Sequence, residues 1–548
     1  MLTPAYFFNA HDARHSVFFL VEFDQTFRDG YWWPRWAPDF AFGYGYPLFN
    51  MYAPLAFYAA EMLHLLGLGF TAAVKTMYVL ATIAGGVSMY GFTRRLFGPT
   101  GGLLAGLVYV YAPFHLVEIF VRSAYAEYVA LALAPLVFWA FTELVAAPSP
   151  RRLAAAGLAY GLLALTHHTT FFTFSPPLMV YILYLVLARS GLRWRPLARR
   201  AFWAAGAGLT GLALAAVYLL PVLVETKYIK IEQWTSGSYN YLQHFVYFAQ
   251  LFLPDWGYGY AGPGLLDDFS FQLGIVVFAL FVFATTAILR SRFPHRGTAL
   301  FFLLTTIAAV WLMSPLARPV WQAIPIASLV QFPWRLLGLT MFSMAVVSAA
   351  LLAGHGQKDS LPAEPLLLLL VVGLASFAYT LPQYTDIPAW AETPLAVVNW
   401  DRASIVDRVG MVAVTEEQPQ TSPMEAQYLN GQPLTVAGII AGNGTVETLH
   451  HGGASDRVRV QADTPVTLQL YTYEYPGWQV SVDGQAVDHR FEPPYGLMTV
   501  DLPPGEHIVE LRMGSTPART AGSLISWLAV VGIAGALVWE TWRLAIRD

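Results

Sequence analysis

The 548-residue chain contains no cysteine. That absence excludes disulfide bonds, thiolate catalysis and cysteine-ligated metal sites. Charge is also scarce, at 12% Asp, Glu, Lys and Arg, about half the share of a soluble domain. The net charge of −4 says little about partners and gives no sign of nucleic-acid binding. No internal repeat, glycine-rich phosphate loop or nucleotide-binding pattern is present. The start, MLTPAYFFNA, lacks the basic region and long apolar core of a secretory signal.

Apolar sequence is abundant: 56% of residues are hydrophobic and the mean hydropathy is +0.48. Runs long enough to cross a bilayer fall at about 72–93, 101–118, 125–146, 151–168, 171–188, 201–221, 271–290, 298–314, 335–354, 363–380 and 520–541. The chain therefore reads as a mainly α, polytopic membrane protein of about eleven spans. Residues 47–67 hold two prolines, Glu61 and His64, and read as a re-entrant or surface helix.

One alternating set of connections is basic: Arg94 and Arg95; Arg151 and Arg152; 189–200; 290–296; Lys358; and Arg543 with Arg547. These are expected on the cytoplasmic side. The opposite set, 1–71, 224–269, 315–334 and 381–518, is long and aromatic, and faces outward. The implied location is a bacterial cytoplasmic membrane. This topology puts the N-terminus outside, so a preceding first span is expected; the alternative is an outside terminus of a short tail.

The stretch from His11 to about Pro54 organises the rest. It opens with His11, Asp12 and His15. Phe19, Phe23 and Phe27 then recur on one helical face, with Arg14, Glu22, Gln25 and Asp29 on the other. Such a helix lies at a membrane surface. Asp12 suits the N-cap of this helix, and equally suits a catalytic carboxylate. The loop 224–269 carries Trp234, Trp256, Asp255, Asp267 and Asp268, and is long enough to be a lid or binding loop; its other reading is an interfacial aromatic belt.

From 382 to 518 the apolar runs shorten and alternate. TPVTLQLYTYEY, WQVSVDGQAV, GLMTVDL and HIVELRM read as strands, with Asp483-Gly484 as a hairpin turn. An outer β-sandwich of about eight strands follows. The expected division is an outer first loop at 1–71, a helix bundle at 72–381, the β domain at 382–518 and a terminal span with cytoplasmic tail at 519–548. Asn443-Gly444-Thr445 matches a glycosylation acceptor pattern that often arises by chance.

HDARH at 11–15, RDGYWWPRWAPDFAFGYGYPLF at 28–49, RSAYAEYVALALAPL at 122–136, LTHHTTF at 165–171 and QFPWRLLGL at 331–339 carry a resemblance. In order and topology the chain resembles the GT-C superfamily of polytopic glycosyltransferases. Within it, the chain resembles the bacterial membrane proteins labelled 6-pyruvoyl-tetrahydropterin synthase-related, although nothing here suggests pterin chemistry. YEYPGWQVSVDGQ and LPPGEHIVELR make the outer domain similar to the tail of YfhO-like membrane proteins. The resemblance implies a polyprenyl-phosphate-linked sugar donor, a glycan, lipid or protein acceptor at the outer face, and an acidic residue in the first outer loop at the acceptor or a metal. Asp12 matches that position.

Residue chemistry supports the same set. Glycosyl transfer from a phosphate-linked donor needs a carboxylate near the acceptor hydroxyl and cations on the departing phosphate. His11 and His15 are candidate helpers to Asp12. With Asp12 they also suit a divalent cation, on a weak ligand pattern; no cofactor is otherwise implied. Arg122 and Glu127 are candidates at the donor, or an ion pair between helices. His167 and His168 are candidates or interfacial polar residues. Arg335 is a candidate phosphate grip or a snorkelling anchor. Trp33, Trp36 and Tyr44 are candidates to stack on sugar rings, or belt residues. The competing functions are a non-enzymatic transport or assembly protein for lipid-linked glycans or polysaccharide, and a binding module built on the β domain. Charges at the outer ends of spans, not at mid-membrane, favour interfacial chemistry over transport.

Overall fold

The structure, a computed structural model, describes residues 3–266, 268–291, 293–353, 363–403 and 411–545. Asp267, Arg292, Lys358 and Arg547 lie outside the described residues, as does the side chain of Arg543. The first helix, α1 (Ala13–Arg28), keeps the phenylalanine stripe inward: Phe23 is fully buried and Leu20 beside it likewise. Two short helices follow, α2 (Leu48–Met51) and α3 (Leu55–Leu65). Neither is long enough to span.

The bundle is built from α4 (Phe70–Tyr111), α5 (Pro113–Phe120), α6 (Tyr125–Ala146), α7 (Pro150–Thr166), α8 (His168–Ser190), α9 (Trp194–Leu214), α10 (Ala216–Glu225), α11 (Ile275–Arg290), α12 (Arg296–Met313), the short α13 (Arg318–Ala323), α14 (Leu337–Ala349) and α15 (Ala363–Ala375). Then come α16 (Leu395–Ala403), α17 (Glu425–Asn430), the strands, and α18 (Pro517–Ala545). Among the described residues, six helices are long and apolar enough to cross a membrane, or seven if α9 and α10, bent by 69°, form one broken span. All eleven apolar runs read from the sequence contain helix, but several helices are shorter than a full span.

The longest helix is folded back on itself. Gly98 sits at φ +86° before Pro99, a backbone that only glycine adopts without strain. The two arms then touch through small residues: a Cβ on Gly106 would lie 3.1 Å from the Gly86 carbonyl oxygen. The run 72–93 is one of these arms, and the run 101–118 is the other together with most of α5. Arg95 at this turn pairs with Glu143 at 2.8 Å, and Arg151 with Glu540 at 3.5 Å, so the basic connections gather at one end of the bundle.

The β domain has two antiparallel sheets, ordered β1-β4-β8-β7 and β2-β3-β9-β5-β6. Their strands are β1 (Ala437–Ala441), β2 (Gly444–His451), β3 (Ser455–Ala462), β4 (Val466–Tyr473), β5 (Trp478–Val482), β6 (Gln485–Val487), β7 (Arg490–Glu492), β8 (Leu497–Leu502) and β9 (Gly505–Met513). Strands thus begin at 437; residues 411–436 carry α17 and irregular chain. Alternation along β3 buries Val458 and Val460 against Val480, Val509 and Leu511. Asp483 and Gly484 both have positive φ, +51° and +79°, the tight hairpin turn expected from the sequence.

The first loop docks this domain onto the bundle. Trp36 packs 5.3 Å from Trp478, and Tyr44 5.6 Å from Tyr473. A buried polar chain backs this contact. Arg35 donates to Asn50 (2.8 Å), Asn50 donates to Glu225 (2.7 Å) and to Tyr475 Oη (2.9 Å), and Arg519 donates to Glu225 (2.9 Å). Each member has a partner, which is the condition for tolerating buried charge.

At the end of α1, Asp29 accepts from the Ala454 amide (3.0 Å) and from Ser455 Oγ (2.8 Å), fixing the turn between β2 and β3. His451, the last residue of β2, pairs across that turn with Asp456 of β3 at 2.6 Å. Burial opposes its charge, but Asp456, with Asp39 and Asp29 behind it, raises the imidazole to about 9. A raised folded-state value stabilises fully below the ordinary histidine range and is lost as pH rises through about 9. Hydrogen exchange in β2 and β3, corrected for intrinsic rate, should therefore accelerate between pH 7 and 9.5 in the wild type. In His451→Gln that acceleration should vanish; an unchanged profile would show that the pair does not hold the turn.

Candidate active site

The site forms where the head of α1 meets the end of the bundle opposite the arginine-rich connections. The His11 amide donates to the Val121 carbonyl oxygen (3.0 Å), and the Asp12 amide to that of Arg122 (2.7 Å). Ser123, at φ +52°, turns the chain between α5 and α6. Its hydroxyl meets those of Tyr6 (3.2 Å) and Tyr78 (3.0 Å), and its carbonyl oxygen accepts from Ser16 Oγ (3.2 Å). These bonds fix Asp12 beside Arg122.

Asp12 occupies the N-cap position of α1, yet its carboxylate makes no capping hydrogen bond. The side chain is 48% exposed and stands 3.8 Å from His15 Nδ1. Its charge reaches Arg122 and the Tyr52 hydroxyl. Capping, the simpler reading of this residue, is thus not what the carboxylate does.

Beneath Asp12 lies a buried charge cluster. Arg122 donates to Glu118, one helical turn back on α5, and to Glu127 on α6 at 2.9 Å. Its guanidinium lies 4.7 Å from the centre of the Trp334 ring. Arg335 comes from the turn ahead of α14. Its Nη1 donates to the Val330 carbonyl oxygen and to Gln331 Oε1, both at 3.0 Å. Its Nε lies 3.4 Å from Glu127 but makes no hydrogen bond, and its Nη2 makes none among the described residues. One edge of this guanidinium, Nε with Nη2, therefore makes no hydrogen bond, although its Nε is ion-paired with Glu127.

His167 ends α7 and begins α8. Its Nδ1 accepts from the Thr170 amide at 3.3 Å, so a neutral ring carries its proton on Nε2. Its ring and that of His168 lie 6.2 and 6.1 Å from Tyr52. Glu118, Arg122, Glu127 and His167 are buried; Asp12, Tyr52, His168 and Arg335 keep partial exposure.

The other sequence candidates lie elsewhere or point away. His11 turns its Nε2 to the Tyr258 carbonyl oxygen (3.1 Å) and stacks 4.2 Å from Tyr260. Burial holds its imidazole below the ordinary range, against the opposing pull of the Tyr258 carbonyl and Asp12. His15 packs 4.3 Å from Trp400, in the opposite direction. Because the two imidazoles diverge, His11, Asp12 and His15 do not fit one cation. Among the described residues no group of three or more His, Asp or Glu could hold a metal ion.

Trp36 and Tyr44 are 2% and 4% exposed inside the docking contact with the β domain, so they offer no open face to a sugar. Trp33 is half-buried, 5.5 Å from Tyr58. The 224–269 loop does border a cavity of about 480 Å³, lined by Asp255, Trp256, Asp268 and Phe269 among others. Two residues of the cluster, Glu118 and Tyr52, were not read from the sequence. Glu118 carried a usable signal, standing four residues before Arg122 on one helical face; Tyr52 carried none.

No curated protein matches the chain. Among solved structures, ArnT from Cupriavidus metallidurans bound to undecaprenyl phosphate is 17% identical, with 66% of this chain and 58% of that one covered and a TM-score of 0.40. The Archaeoglobus fulgidus oligosaccharyltransferase in its apo form is 13% identical, with 76% and 57% covered and a TM-score of 0.40. The same enzyme tethered to an acceptor peptide is 12% identical, with 74% and 56% covered and a TM-score of 0.37. This chain thus spans under three-fifths of the length of each. A family description, 6-pyruvoyl-tetrahydropterin synthase related domain, membrane protein, matches residues 49–385, which hold every member of the cluster but Asp12. That match takes in well over half of the sequence, and the chain belongs to this family of membrane proteins.

Proposed function

We propose that this protein transfers a sugar from a polyprenyl-phosphate-linked donor to an acceptor at the outer face of a bacterial cytoplasmic membrane. The observation that carries this reading is Arg335, whose Nε makes no hydrogen bond, in one cluster with Arg122, beside which the half-exposed carboxylate of Asp12 is fixed. A guanidinium edge matches two phosphate oxygens. A carboxylate at the same mouth can accept the proton of an incoming hydroxyl.

The division of labour follows from placement. Arg335 takes the donor phosphate, and Arg122 lies behind it, held by Glu118 and Glu127. Asp12 takes the acceptor proton as the acceptor oxygen attacks the sugar carbon and the phosphate leaves. His167, with its proton on Nε2, is a neutral hydrogen-bond donor at the back of the site. The outward direction rests on the arginine-rich opposite end of the bundle.

Two measurements test the reading. Incubated in proteoliposomes with polyprenyl-phosphate sugars and a cell-envelope extract as acceptor, the protein should release free polyprenyl phosphate. A transport or assembly protein would leave the donor intact. Single cysteines at the exposed positions Arg195 and Ser238 should differ in intact cells: the impermeant reagent should label Ser238→Cys and spare Arg195→Cys. Labelling of Arg195→Cys would reverse the orientation.

A further inference from the structure

The turn that carries Arg335 is strained at one residue. Gln331 sits at φ +65° and ψ −47°. The Phe332 amide donates to the Val330 carbonyl oxygen at 2.7 Å, closing a three-residue turn around it. This form of the γ-turn is rare and strained, because a side chain crowds the backbone at positive φ. Glycine would occupy the position freely. Strain of this kind persists only where the surrounding contacts hold it.

Those contacts come from the glutamine side chain, which is buried and bonded at both ends of its amide. Oε1 accepts from Arg335 Nη1 at 3.0 Å, and Nε2 donates to the Trp234 carbonyl oxygen at 3.2 Å. Trp234 lies in the outer loop 224–269, and His244 of that loop packs 4.7 Å from the Phe332 ring. The Phe332 ring in turn lies 4.9 Å from the Arg335 guanidinium carbon. Nη1 also donates to the Val330 carbonyl oxygen, so two acceptors from one turn hold it. A single acceptor would let the guanidinium pivot; two fix its plane.

We infer that Gln331 is a positioning residue for the donor, holding Nη1 of Arg335 so that Nε and Nη2 stay available to an anionic phosphate diester. The inference rests on the proposed donor site. The competitor for that edge is Glu127, whose Oε2 stands 3.4 Å from Nε without a hydrogen bond. Released from Gln331, the guanidinium can turn and close that gap, which withdraws Nε from the phosphate. The strained backbone is what brings the Gln331 amide within reach of both Arg335 and Trp234. The outer loop thereby takes part in donor binding through a main-chain carbonyl.

The test titrates dioctyl phosphate, a singly charged diester, calorimetrically into the full chain in neutral-lipid nanodiscs, with melting temperatures measured on the same samples. Gln331→Gly removes both the strain and the side chain. Gln331→Met keeps the strain and the length and removes only the polar end. Both should weaken binding by about tenfold, the scale of one hydrogen bond to a charged group, while Gln331→Gly melts above Gln331→Met. Binding then follows the side chain, and stability follows the backbone. In an Arg335→Lys background there is no planar fork to orient, so Gln331→Gly should change the affinity by less than about twofold. If both Gln331 variants bind like wild type, the residue only builds the turn; the inference is overturned and the donor site stands. Affinities that follow the melting temperatures, wild-type in Gln331→Gly and weak in Gln331→Met, overturn it as well. So does full additivity with Arg335→Lys, because Gln331 would then act elsewhere than through the guanidinium. If Gln331→Met does not fold, Gln331→Gly and the double variant decide. A wild-type chain that binds dioctyl phosphate no better than Arg335→Lys, or not at all, overturns the donor site itself and the inference with it.

Discussion

Asp12→Asn is expected to transfer sugar about a hundredfold more slowly than wild type, or slower still, the scale on which a lost general base is felt. Asparagine keeps the size of the side chain and removes only the base and the charge. Nothing in the fold rests on that charge. The carboxylate is half-exposed and makes no capping bond, while the backbone around it is held by the amides of His11 and Asp12 and by Ser16. Thermal stability should therefore stay within about 0.5 kcal/mol, the range of an ordinary surface substitution. Asp12→Ala should behave alike. A capping role would instead cost Asp12→Ala about 1 kcal/mol with activity retained. Rate and melting temperature, measured on both variants in proteoliposomes, separate the two. Transfer by Asp12→Asn at the wild-type rate would move the search for the base to Asp255, because Glu127 is committed to two arginines.

Arg335→Lys should raise the donor KM roughly ten- to hundredfold while leaving kcat within a few fold. Lysine keeps the positive charge but loses the planar edge, so two parallel donors become one. A charge-assisted hydrogen bond contributes about 1.5–3 kcal/mol, which sets that range. The opposite pattern, kcat falling with KM unchanged, would mean that Arg335 acts only as the bond breaks and does not hold the resting donor. Arg335→Lys is also a fair structural probe. A cation is kept opposite the Val330 and Gln331 acceptors, and the melting temperature of the variant checks that the fold survives.

Much of the fold was legible because its signals are local. Apolar runs marked the helices, and Arg94 and Arg95 between the runs 72–93 and 101–118 marked the break between the arms of α4. Period-two alternation and Asp483-Gly484 marked the β domain. The shortness of α11 was not legible, since composition records that a stretch is apolar and not where a turn ends it, whereas the two prolines, Glu61 and His64 did mark α3 as too short to span. At the site, Asp12, Arg122, Glu127, His167, His168 and Arg335 were legible because charge near the ends of apolar runs is rare. The structure brings all six together. Trp36 and Tyr44 were misread for a physical reason: an aromatic ring that stacks on a sugar and one that fills a domain contact look the same in sequence. Only the packing of Trp36 on Trp478 tells them apart. His11 and His15 were read as a pair from spacing alone. The turn that starts α1 sends one ring to Tyr260 and the other to Trp400.

The central claim is that the polar mouth at Asp12 consumes a lipid-linked sugar. The most direct measurement is mass spectrometry of polyprenyl-phosphate sugars from host cells carrying Asp12→Asn in place of the wild-type gene. One such species should accumulate in the variant to the level seen in a full deletion, and return to normal when the wild-type gene is restored. Lipid-linked sugar profiles that are the same in wild type, variant and deletion would contradict the account.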